Sequence, residues 1–241
     1  PSRRSSDFLP PAPAGAPGAV DEALQEDGPQ DAGKEAVTVV AHPSTQTHLR
    51  LGQPAIRRDS PDYFPLLVGN HALGGNGLVS LLARAVREER GLAYSVSSSF
   101  TPMQAPGPYQ VRLQTRNDQI AEAVGVVRDT LDAFLAEGPP DEDLVLAKDN
   151  LVGGFPLRID SNAQVASHLA VIGFYDLPLD WLATYTEQVR AVTAADVRAA
   201  FARQLDLGAM HLVLVGDVPA PQRQRVEAIL GGGSEAGAAP R

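Results

Sequence analysis

Residues 109–116 alternate with a period of two: Tyr109, Val111 and Leu113 fall on one side, Gln110, Arg112 and Gln114 on the other. That alternation predicts a strand in a sheet with one packed face, its other face wet or lining a cavity. Two more β-rich runs, Val37–Ala41 and 45–53, are separated by the turn residues Pro43 and Ser44. Residues 92–101 predict another strand and 210–216 (MHLVLVG) a buried one. Elsewhere a helical period takes over. Leu78, Leu81, Leu82, Ala85 and Val86 make an i, i+3, i+4, i+7, i+8 stripe that stops at Gly91. Ile120, Val124, Val127, Leu131 and Phe134 make a second stripe behind Asn117 and Asp118, closed by Gly138-Pro139-Pro140. Ser60-Pro61-Asp62 predicts a helix start, with Ser60 as cap, and that helix runs to about Leu73. Further helices are expected over about 141–153, 162–175, 179–190, 194–204 and 219–230.

The resulting order, ββααββαααααβα, groups strands and helices in blocks. It predicts an α+β fold with an antiparallel or mixed sheet covered on one face by helices. Residues 1–35 are rich in Pro, Ala, Gly and acidic residues and are expected to be a disordered linker or tail, around a short helical stretch at about 20–25. Residues 231–241 (GGGSEAGAAPR) are expected to be a flexible tail, which leaves a folded domain over 36–230.

Composition narrows the function. Apolar residues make up 44% of the 241 residues, enough for a sizeable core. The net charge of −9 argues against a nucleic-acid partner. There is no cysteine, so disulfides, thiolate metal sites and a cysteine nucleophile are excluded. No apolar run approaches the ~18 residues of a membrane span, so no membrane partner is expected, and the first residues lack a charged start followed by an apolar stretch. The histidines are His42, His48, His71, His168 and His211, and none forms HExxH or HxxEH. No metal site is expected in this chain. His42 and His48 sit on neighbouring predicted strands, either as ordinary strand residues or as a close pair.

Gly74-Gly75-Asn76-Gly77 is open to three readings. Gly75-x-Gly77-x-x-Ser80 is a degraded dinucleotide fingerprint, but it follows a helix and not a strand. It also serves as a helix–helix breaker, or as a place where backbone approaches an extended peptide closely. Downstream, Arg87 at a helix end and Tyr94 on the next strand are joined through Gly91. A guanidinium and a phenol that converge make a donor pair suited to an oxyanion. The competing reading is a solvated helix-terminal Arg87 and a packed Tyr94, which shares its strand parity with Leu92, Val96 and Phe100.

Residues 69–100, GNHALGGNGLVSLLARAVREERGLAYSVSSSF, resemble the second-domain signature of the pitrilysin/insulinase-like zinc peptidases. That group includes mitochondrial processing peptidase, the respiratory-complex core proteins and bacterial two-subunit peptidases. Arg87, Gly91, Leu92 and Tyr94 carry the resemblance, and LQTRND (113–118) and NLVGGFPLRIDSN (150–162) extend it less specifically over most of 36–217. The resemblance implies one half-unit of a fold in which two similar halves face each other across a closed chamber. One half carries HxxEH and binds zinc; the other supplies an Arg and a Tyr from the opposite wall. It implies that Arg87 and Tyr94 are catalytic and that Gly74, Gly75, Asn76 and Gly77 touch a peptide substrate. It further implies that this chain binds no cofactor, that zinc belongs to a partner HxxEH domain or subunit, and that 1–35 corresponds to the linker between halves. The alternative is an inert scaffold or peptide-binding half, as the respiratory core proteins are.

Overall fold

The computed structural model describes residues 36–231. The expected linker at 1–35, and all of the expected tail except Gly231, lie outside the described residues. The period-two segments form strands β1 (Val37–Ala41), β2 (Gln46–Ile56), β3 (Ala93–Phe100), β4 (Gly107–Arg116) and β5 (His211–Gly216). They make one five-stranded sheet in the order β1-β5-β2-β4-β3. β1 runs parallel to β5, and every other neighbouring pair is antiparallel. β3 is therefore an edge. β2 runs past its expected end at Gln53 and through Pro54 to Ile56. That proline is tolerated because β5 pairs only with His48 to Gly52 of β2, so Pro54 lies on an unpaired flank.

The helices are α1 (Tyr63–Asn70), α2 (Leu81–Ala83), α3 (Ile120–Glu137), α4 (Asp141–Gly154), α5 (Asn162–Phe174), α6 (Trp181–Ala191), α7 (Ala194–Gln204) and α8 (Ala220–Gly231). Two of them change pitch. α1 continues as a π-helical turn, His71–Gly75, and α2 continues as another, Arg84–Glu88. The stripe Ile120, Val124, Val127, Leu131 and Phe134 is wholly buried, and it packs with Leu49, Leu51, Tyr109, Val111, Leu113, Leu212 and Leu214 from one face of the sheet. The α2 stripe starts later than expected. Ser80 caps the helix through Ala83 N–H at 3.4 Å, and Leu78 sits outside it in an exposed turn. The opposite face of the sheet carries His48, Arg50, Gln110, Arg112 and Gln114, exposed or half-buried. No helix among the described residues is long and apolar enough to cross a membrane.

At the Ser60-Pro61-Asp62 start, Ser60 Oγ accepts from Asp62 N–H at 3.2 Å, the capping contact expected of it. α1 begins at Tyr63, and the Asp62 side chain does not cap it. Instead the buried Asp62 carboxylate accepts from Arg203 Nη2 at 2.6 Å, Arg203 Nε at 3.3 Å and Gln204 Nε2 at 2.8 Å. This ties α1 to α7. The Arg203 hydrogen bonds, with help from Gln204, hold the Asp62 carboxyl below the usual carboxylate range. Stability from such a group is present above the unfolded value of about 3.9 and is lost as pH falls through the lower folded value. Asp62→Asn is therefore expected to cost about 1–3 kcal/mol in denaturant unfolding at neutral pH. The gap from wild type should close as the pH drops below that of an ordinary carboxyl.

Candidate functional site

Arg87 stands on the π-helical turn that ends α2. The turn is one residue wider than an α-helix, with Glu89 N–H bonded to Arg84 O at 3.0 Å. It closes through Gly91 N–H to Arg87 O at 3.0 Å and Leu92 N–H to Val86 O at 2.9 Å. Gly91 takes φ +62°, the left-handed stop that spacing alone predicts. Single-turn π insertions recur at functional sites because they rotate the following side chain off the regular helical face. The turn is anchored by Arg84, whose Nη2 donates to the buried Asp143 carboxylate of α4 at 2.6 Å.

Tyr94 opens β3, and its direction follows from a β-bulge. Ala93 pairs with Thr115, but Val96 pairs with Leu113, so three steps on β3 match two on β4. Ala93 and Val96 are both buried, and the extra residue leaves Tyr94 and Ser95 together on the open face. The parity that links Tyr94 to Leu92, Val96 and Phe100 is thereby broken, and Tyr94 is 86% exposed. Just before the bulge, Thr115 Oγ1 donates to Leu92 O at 2.6 Å and fixes the entry into β3.

The two insertions bring the residues together. Arg87 Cζ lies 5.4 Å from the centroid of the Tyr94 ring, a cation–π arrangement. Among the described residues Arg87 has no carboxylate partner. Arg87 is half-buried and Tyr94 exposed, and no hydrogen bond to either side chain is present among the described residues.

The glycine-rich loop divides. Gly74 is buried, and a Cβ there would stand 2.3 Å from Ser98 Oγ, 2.7 Å from Ser98 N and 2.8 Å from Leu82 Cδ1. Its lack of a side chain is a packing requirement against β3. Gly75 and Gly77 are exposed and Asn76 is half-buried, so the accessible part of the loop is 75–77. Gly77 sits at φ +51° in open space. The floor beneath is fastened by Asn70 Nδ2 donating to Ser98 O at 3.0 Å and Ser98 Oγ donating to Asn70 Oδ1 at 2.6 Å. His71, half-buried nearby, has its pKa lowered by desolvation and then by Arg158. Among the described residues no group of three or more His, Asp or Glu side chains could hold a metal ion.

Sequence reasoning missed Asp143, whose partner is 59 positions away with no local signal, and the cross-strand register that sets Arg50 opposite Arg112.

Residues 11–151 match the family described as the peptidase M16 inactive domain. An uncharacterized zinc protease of Mycobacterium tuberculosis is 33% identical over 137 residues, covering 57% of this chain and 31% of the relative. A Helicobacter pylori relative described as a non-peptidase homolog is 28% identical over 172 residues, 68% of this chain and 38% of the relative. The solved peptidase M16 inactive domain from Pseudomonas fluorescens is 39% identical with a TM-score of 0.73, covering 76% of this chain and 43% of that one. The chain thus spans about a third of the length of the curated relatives it matches.

The division of the loop is open to measurement. Gly74→Ala should lower stability by about 1–3 kcal/mol through overpacking against Ser98. Gly77→Ala meets no atom and should cost about 1–2 kcal/mol through the left-handed backbone alone. Replacing each by D-alanine in semisynthetic protein would relieve only the second; equal rescue at both positions would contradict the packing assignment.

Proposed function

The chain belongs to the peptidase M16 family, the insulinase/pitrilysin metallopeptidases, as its inactive domain, and on that premise we propose that it is the half of a zinc endopeptidase that completes the active site of a zinc-bearing HxxEH half. The observation that carries this reading is the Arg87–Tyr94 pair: two donors turned outward by separate one-residue insertions, with no carboxylate among the described residues paired to Arg87.

Their chemistry suits the oxyanion of a peptide bond under attack. As the carbonyl carbon becomes tetrahedral, its oxygen gains negative charge, and donors already in position stabilise it without reorganisation. Tyr94 O–H and the Arg87 N–H groups are such donors. Zinc and the water it activates belong to the HxxEH half, whether that is another domain or another subunit. Gly75, Asn76 and Gly77 offer accessible backbone beside β3 for an extended peptide. β3 is a sheet edge, so a substrate strand can add to it, although the bulge interrupts regular pairing at Tyr94 and Ser95. Exposed apolar side chains also favour a partner: Leu78 and Val79 flank the loop, and Leu169 and Phe174 stand out from α5.

The second reading, an inert scaffold or peptide-binding half, draws on the Helicobacter relative described as a non-peptidase homolog. It gives no reason for an exposed tyrosine stacked beside an uncompensated arginine. The two readings part on kinetics. In the assembled enzyme Tyr94→Phe and Arg87→Ala should each lower kcat by roughly 10²–10³ while KM changes little, because an oxyanion contact strengthens in the transition state. Unchanged kcat in Tyr94→Phe, which keeps the ring and loses only the hydroxyl, would remove the pair from the chemistry.

A further inference from the structure

On the open face of the sheet, Arg50 of β2 lies directly opposite Arg112 of β4. Like charges facing each other across an antiparallel pair, with Cβ atoms about 4.5–5.5 Å apart, destabilise a sheet. A carboxylate paired with either would relieve the repulsion. Among the described residues neither arginine forms an ion pair. The neighbours on this face are His48, Gln110, Gln114, Ser95 and Ser97, with Val213 and Val215 of β5 on the other side of Arg50 and His48, and none is acidic. This is an unrelieved concentration of positive charge in a chain of net charge −9.

The guanidiniums are held by neutral acceptors. Arg50 Nη1 donates to Gln110 Oε1 at 3.0 Å, and Arg112 Nε donates to Ser97 Oγ at 3.1 Å. A guanidinium has five N–H donors, so most of each fork remains free for an anion. Arg50, Arg112, His48, Gln114, Ser95 and Ser97 border one shallow groove of about 330 Å³. Ser95 is the second residue of the bulge that turns Tyr94 outward. Arg112 pairs with Ser97, three residues along β3 from Tyr94 at roughly 3.3 Å each, and lies one strand in from β3 with Arg50 one strand further.

We propose that the Arg50–Arg112 pair is a carboxylate subsite on this wall. It binds an Asp or Glu side chain, or a free C-terminal carboxylate, of an extended peptide, and gives the site a preference for acidic peptides. The proposal rests on the reading of this face as a peptide-binding wall. An acidic segment supplies the charge that the pair lacks, and it removes the repulsion between the two arginines as it binds.

The test titrates short dansyl-labelled peptides onto the full chain by fluorescence anisotropy, with Glu, Gln or Lys at the same positions and with free or amidated C-termini. The Glu peptide should bind about five- to tenfold more tightly than its Gln counterpart. The advantage should vanish in Arg50→Gln and Arg112→Gln and shrink in high salt. Loss of affinity on Glu→Gln identifies the side chain as the ligand; loss on amidation identifies the C-terminus; either supports the subsite. Equal binding of the Glu, Gln and Lys peptides with no loss on amidation overturns the carboxylate subsite and leaves the peptide wall standing. No binding of any peptide overturns both. Removing one of two opposed like charges relieves repulsion, so both variants should melt at or above the wild-type temperature at low salt. A lower melting temperature would contradict the claim that the pair is unrelieved.

Discussion

The bulge at Tyr94 and Ser95 is the constraint on which the proposed chemistry depends. A regular β3 would keep strict alternation, and Tyr94 would share the packed side with Val96. The extra residue lets Ala93 and Val96 both face the core, opposite Thr115 and Leu113, and sends the two residues between them to the open face. The same device works on the helix before it. The π turn at Arg84–Glu88 adds one residue to the helical repeat and delivers Arg87 next to the Tyr94 ring. Each insertion gives up regular hydrogen bonding locally, and irregularities of this kind concentrate where side chains must be aimed.

Aiming a side chain is useful only if its base does not move. Beneath the pair, Asp143 holds Arg84, Thr115 holds the Leu92 carbonyl, and Asn70 and Ser98 exchange two hydrogen bonds. Gly74 lets the turn after α1 press directly onto Ser98. These contacts are buried or half-buried, while Tyr94 and the rim at Gly75 and Gly77 are exposed. The domain is thus firm below and open above, as a wall that presents groups to a second body would be.

The fold was legible because its signals are periodic. The alternation in β4, the stripe of α3, and the Gly91 and Gly138 stops each act over a few residues, and the structure places elements where those signals fall. Errors came where a distant partner overrides a local cue. Asp62 reads as a first-turn acid but is claimed by Arg203, 141 positions away. Leu78 matches the helical stripe, yet Ser80 caps the helix after it. The site was half legible. Spacing places Arg87 at a helix end and Tyr94 on a strand, and the resemblance singles them out. Parity then argues for a packed Tyr94, because a bulge leaves no mark in a single sequence. Gly74 and Gly77 look alike as letters and differ only in what surrounds them. The opposed arginines were invisible because register between strands is set by the whole sheet.

The central claim is that Arg87 and Tyr94 act together on one atom of the substrate, and a double-mutant cycle on kcat in the assembled enzyme tests it most directly. Two donors to one oxyanion function as a unit, so Arg87→Ala with Tyr94→Phe should cost little more than the worse of the single changes. Strict additivity of the two losses would mean that the residues act at separate places, and it would contradict the account.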